Sequence, residues 1–157
     1  MMNNIFEDIL KGKIVIVGVG NTLRGDDGFG PMLIDRLKFN TRLVCINAGS
    51  APENYTGKII KENPDTILII DAVHLGLRPG EYDVLRPDEI IKSGFTTHDI
   101  SPRMFIEFLQ KETKADIYLL GVQPGNISFG AEISVEVKRT LEKIKALLSK
   151  VVSNRIW

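Results

Sequence analysis

The sequence predicts an α/β fold built on a largely parallel sheet. Two observations carry that reading. Short, nearly continuous apolar runs recur along the chain, and stretches with helical apolar spacing lie between them. Strands covered on both faces read as unbroken apolar runs, because neither side meets water. Regular strand–helix alternation is the pattern of parallel strands joined by crossover helices.

The elements follow in order. Lys13 to Val19 (KIVIVGV) is rich in β-branched residues and runs into a glycine-rich segment. Gly28 to Lys38 places Phe29, Met32, Leu33 and Leu37 on one side of a helix. Arg42 to Asn47 (RLVCIN) reads as the second strand, and a shorter helix is expected over Glu53 to Glu62. Thr66 to Ala72 (TILIIDA) is the next continuous run. Tyr82 to Leu85 alternates more and follows the turn signal Arg78-Pro79-Gly80, which suits an edge strand. Ser101-Pro102 opens a helix, with Ser as N-cap and Pro in the first turn. Its expected buried face is Met104, Phe105, Phe108 and Leu109. Asp116 to Val122 (DIYLLGV) is the last apolar run. From Glu132 to Val152, Ile133, Val137, Leu141, Ile144, Leu148 and Val151 recur at helical spacing, the clearest amphipathic pattern in the chain.

Composition narrows the function classes. A length of 157 residues suits one domain, residues 1–157, with a real core. Hydrophobic residues at 43% and charged residues at 25% exclude disordered and fibrous chains. Lys and Arg number 20 against 20 Asp and Glu, so the net charge is zero. That balance argues against nucleic-acid partners, which need a cationic excess, and against a polybasic membrane-surface protein. No apolar run approaches the ~20 residues that span a bilayer. The first residues, MMNNIFEDILKGK, lack the basic start and long apolar stretch of a signal peptide. A cytoplasmic location is expected. The single Cys45 excludes an intrachain disulfide and any all-cysteine metal site. Its neighbours Leu43, Val44 and Ile46 mark it as a buried strand residue rather than a nucleophile.

In parallel sheets, ligands bind beyond the carboxyl ends of the strands. The first strand runs into Gly18-Val19-Gly20-Asn21-Thr22-Leu23-Arg24-Gly25-Asp26-Asp27-Gly28-Phe29-Gly30. The dinucleotide fingerprint fails here, because Leu23 stands where its third glycine belongs, and no Gly-Lys-Ser/Thr marks a phosphate loop. Asp26 or Asp27 could cap the following helix, which would leave the other for chemistry. Asp71 closes the Thr66–Ala72 run, as a strand-end acceptor of backbone N–H groups or as a ligand-facing carboxylate. The histidines are His74, three residues after Asp71, and His98, in the loop before the Ser101-Pro102 helix. There is no H-E-x-x-H and no G-x-S-x-G. Asp27, Asp71 and a histidine would form an oxygen–oxygen–nitrogen donor set suited to nickel, zinc, cobalt or manganese.

Taken together, Gly18-x-Gly20-Asn21-x-x-x-Gly25-Asp26-Asp27-Gly28-x-Gly30, the strand-end Asp71 and Thr96-Thr97-His98 resemble the hydrogenase maturation endopeptidases. Gly49-Ser50-Ala51-Pro52-Glu53-Asn54 and Leu120-Gly121-Val122-Gln123-Pro124 resemble more narrowly the branch serving hydrogenase 3, of the formate-hydrogenlyase type. The resemblance implies an α/β/α sandwich around a five-stranded, mostly parallel sheet. It implies an endopeptidase that trims the C-terminal tail of a nickel–iron hydrogenase large-subunit precursor. Asp27, Asp71 and His98 would be the catalytic residues and would contact the metal. That metal is nickel, carried by the precursor's Cys-x-x-Cys motif rather than held as a resident cofactor. His74 has no role in that pattern, Asp26 becomes the structural member of the acidic pair, and a monomer is expected. Two alternatives stand beside this reading: a non-catalytic nickel-sensing chaperone for the large subunit, and a nucleotide-binding domain using the Gly18–Gly20 loop.

Overall fold

A computed structural model of the chain describes residues 4–40, 42–93 and 102–155. Among them, five strands form one sheet: β1 (Ile14–Val19), β2 (Val44–Gly49), β3 (Thr66–Ala72), β4 (Tyr82–Leu85) and β5 (Asp116–Val122). Their spatial order is β2-β1-β3-β5-β4. β1, β2, β3 and β5 run parallel, and β4 pairs antiparallel with β5 as the expected edge strand.

Strand parity sorts the core into two layers, since successive side chains point to opposite faces. One layer takes Ile14, Ile16, Leu68, Ile70, Tyr118, Leu120 and Val122 from the sheet. It is covered by α1 (Ile5–Ile9), α2 (Phe29–Leu37) and α6 (Val135–Ser153). The other takes Val15, Val17, Ile46, Ile67, Ile69 and Leu119. It is covered by α3 (Thr56–Lys61), α4 (Pro87–Ser93) and α5 (Pro102–Glu112), through Ile59, Ile90, Phe105, Ile106 and Leu109. The result is the three-layer α/β/α arrangement.

Several expectations need correction. The α5 face turns by about one position: Phe105, Ile106 and Leu109 are buried, whereas Met104 and Phe108 are exposed. One helical step rotates a face by about 100°, and packing on the sheet selects which stripe goes inward. The expected Ser101 cap of α5 lies outside the described residues. The last helix begins at Val135, so Ile133 packs against the core from the loop before it. The helix expected over Glu53 to Glu62 is a 3-10 turn, Pro52–Tyr55, followed by α3. Both α1 and α4 are additional to the expected elements. No described helix is long and apolar enough to cross a membrane.

Candidate active site

From β1 the chain steps outward to β2 on one side and back to β3 on the other. The crevice at such a reversal, beyond the carboxyl ends of the strands, is where open α/β sheets bind ligands. Here β1 and β3 are hydrogen-bonded neighbours, with Gly18 opposite Ile70. The glycine-rich loop leaves one strand at this point and Asp71 closes the other.

Close packing explains the glycines. A Cβ on Gly30 would lie 2.4 Å from the Val19 carbonyl oxygen and 2.5 Å from that of Ile70. Only glycine lets the first turn of α2 sit directly on the ends of both strands. Gly20 has φ +143°, and a Cβ there would lie 1.9 Å from the Asp27 carbonyl oxygen. The loop therefore folds tightly back, with Asp27 against its own start. The residues Gly25–Gly28 form a 3-10 turn packed on β3.

The two adjacent aspartates have different surroundings. Asp26 is completely buried. Its Oδ2 accepts the backbone N–H of Gly125 at 2.7 Å, that of Asn126 at 3.0 Å and the Ser134 hydroxyl at 2.8 Å. Its Oδ1 accepts the Ser134 backbone N–H at 2.7 Å. These bonds lash the β1 loop to the β5–α6 loop, so Asp26 is the structural member of the pair. Asp27 is also buried, and its Oδ2 accepts the Asn21 N–H at 2.9 Å. Neither aspartate is the cap residue of α2; that position is Gly28, which has no side chain to offer.

Asp71 is buried at the end of β3. It shares the parity of Ile67 and Ile69, so it belongs to the sheet face covered by α3, α4 and α5. The structure thus brings Asp27 and Asp71 to the carboxyl edge of adjacent strands. His98 lies outside the described residues. His74 is exposed. Cys45 lies within β2 but is half-buried rather than fully buried, and that burial pushes its thiol up to about 11.

Gln123 contributes a function that residue patterning did not reveal. It is buried, and its Oε1 accepts the Leu75 N–H at 2.7 Å while its Nε2 donates to the Pro124 carbonyl. It thereby ties the segment after Asp71 to the end of β5. Ser134 was equally hidden. It stands at the N-cap of α6, yet its hydroxyl serves Asp26 rather than the helix. A glutamine beside a proline and a serine before a helix are common, and neither signals a partner about fifty or a hundred residues away.

The whole-chain comparison decides the class of this site. A family model described as hydrogenase maturation protease matches residues 32–151. The chain belongs to the hydrogenase maturation protease family. It is 35% identical to the hydrogenase 3 maturation protease of Escherichia coli K12, over 83% of this chain and 85% of that one. Among solved structures, a [NiFe] hydrogenase maturation protease from Thermococcus kodakarensis superposes with a TM-score of 0.87. That pair is 34% identical and covers 96% and 99% of the two chains. An endopeptidase from Escherichia coli superposes with a TM-score of 0.76 at 30% identity, covering 86% of this chain and 88% of its own. Membership of a maturation protease family makes the chain a hydrolase, in place of a non-catalytic chaperone or a nucleotide-binding domain.

Proposed function

We propose that this protease removes the C-terminal tail of a [NiFe] hydrogenase large-subunit precursor, once nickel sits in the precursor's Cys-x-x-Cys motif. In this reading Asp27, Asp71 and His98 contact that nickel. The observation that carries it is the position of Asp27 and Asp71, two buried carboxylates at the reversal between β1 and β3. The relatives' names support the substrate class, since they specify [NiFe] hydrogenase and hydrogenase 3.

The donor chemistry fits a metal delivered by the substrate. Two carboxylate oxygens and one imidazole bind a borderline divalent ion without thiolate, and the thiolates come from the precursor. The site therefore reads nickel as a sign that the precursor is loaded. Water attacks the scissile peptide; where a carboxylate rather than nickel polarisation of the carbonyl drives that attack, Asp27 and Asp71 are the candidates to accept the proton.

The test is a cleavage assay on purified precursor with and without nickel, read by mass spectrometry. Tail loss is expected only from the loaded precursor. Asp27→Asn, Asp71→Asn and His98→Ala should each lower processing by about 10²-fold or more while leaving the protein folded. Full activity in His98→Ala removes that residue from the site. A stable complex with loaded precursor and no tail loss would overturn this precursor as the substrate.

A further inference from the structure

The loop that carries Asp27 also presents an exposed leucine and a half-buried arginine. Leu23 is 60% exposed, and Arg24 follows it. The facing β5–α6 loop presents Phe129 at 72% exposure. A bond from the Gly130 N–H to the Leu23 carbonyl oxygen, 2.8 Å, joins the two tips.

These tips are built rather than loose. Leu23 N–H donates to the Asn21 side chain and Ser128 N–H to the Asn126 side chain. The Asp26 N–H donates to the Asn126 carbonyl, and the Asp26 carboxylate holds the same loop from inside. An exposed apolar patch rimmed by polar residues on a braced surface marks a protein contact.

Charge narrows the partner. No charged residue lies between Gly121 and Ala131, so the tip of the β5–α6 loop itself carries no charge. On the Leu23 side, the Arg24 Nε is buried and meets no hydrogen-bond partner among the described residues. Arg24 is half-buried, and its terminal N–H groups are suited to hold a carboxylate brought by a partner with parallel bonds.

We infer that Leu23, Arg24 and Phe129 form the docking surface for an apolar, carboxylate-bearing segment of the protein substrate. This rests on the reading of the chain as a protease acting on a hydrogenase large-subunit precursor. Asn21 ties this surface to the candidate active site: its side chain accepts the Leu23 N–H, and its own N–H donates to the Asp27 carboxylate. A polypeptide anchored over Leu23 and Phe129 is therefore led onto the edge that holds Asp27 and Asp71.

The test is steady-state cleavage of nickel-loaded precursor by the full chain. The double variant Leu23→Ser/Phe129→Ser and the single variant Arg24→Gln should each raise KM about tenfold or more, with kcat within about twofold. Salt should raise the KM of the unaltered protein and have little effect on that of Arg24→Gln, because the carboxylate contact is screened. Phe39→Ser removes an equally exposed aromatic just beyond the carboxyl end of α2, and should leave both constants unchanged. Unchanged KM in the docking variants, with normal cleavage by the unaltered protein, overturns the docking surface and leaves the proposed activity standing. Failure of the unaltered protein to cut or bind loaded precursor overturns the activity itself, and this inference with it. Self-association abolished by Leu23→Ser/Phe129→Ser at unchanged KM assigns the surface to a second copy and overturns the proposal. If the double variant does not fold, the salt dependence of Arg24→Gln decides.

Discussion

Asp26 and Asp27 are neighbours of one chemical type with opposite assignments, and hydrogen bonding separates them. Asp26 accepts three backbone N–H groups and one hydroxyl from the β5–α6 loop. Asp26→Ala would strand those donors around a completely buried position. The expected loss is about 3 kcal/mol or more. For a chain of this size that is a fall in melting temperature of roughly 6–12 °C, read by calorimetry. Asp27→Asn, by contrast, should lower cleavage without a comparable fall in stability. Cys45 offers a second residue-level prediction. Its thiol is raised to about 11 by burial, so it stays protonated near pH 8 in the folded protein. Alkylation of the native protein should be slow at that pH and become fast in denaturant, as mass spectrometry would show. The sign for stability follows directly. The unfolded chain ionises this thiol at a lower pH than the folded one, so its contribution is intact below the ordinary thiol range and is lost as pH rises toward 11.

At the scale of elements, the contact between α2 and the strand ends is the critical one. It brings the loop that carries Asp27 to the end of β3, and it depends on the missing side chain of Gly30. Gly30→Ala should push the first turn of α2 off β1 and β3. The expected cost is about 1–3 kcal/mol, measured as a lower urea midpoint. A fall in cleavage larger than the stability loss explains is expected too, because Asp27 lies three residues away. Helical periodicity located α2, α5 and α6 and set the buried faces of α2 and α6, but it did not set the rotation of α5. The stripe Met104, Phe105, Phe108 and Leu109 is nearly as apolar as the one that is buried, and the choice falls to the layer against which α5 packs. The short helix α1 escaped notice because five residues hold little more than one turn of periodicity. It is fixed instead by Phe6, completely buried in the core, and by the Asn4 side chain, which accepts the Phe6 N–H.

At the scale of the whole molecule, the arrangement is a sheet whose strand order reverses at β1, with three loops interlocked at one edge. Asp26 grips the loop after β5, and Gln123 grips the loop after β3. Gly125 lies between the Asp26 carboxylate and Pro79. The edge is therefore expected to act as one rigid receptor for a large protein substrate, with little rearrangement on binding. Nickel dependence belongs to this scale. Precursor lacking nickel should not be trimmed by the intact protein, and efficient trimming of that precursor would remove nickel as the recognition signal.

The fold class, the strand runs and the glycine-rich loop were legible in the linear chain. They depend on local quantities: apolar periodicity, β-branching, and glycines at fixed spacing. The same loop, with Asp71 closing its strand, marked the chemistry, because sheet edges concentrate ligands whatever the ligand is. Tertiary structure alone decided which groups hold Asp26, which stripe of α5 is buried, and that the Leu23 and Phe129 loops meet. Each of those rests on partners distant in sequence. Gly125 and Ser134 lie 99 and 108 residues from the carboxylate that they satisfy. A hydrogen bond across such a distance leaves no periodic trace, since only the folded sheet brings its ends together.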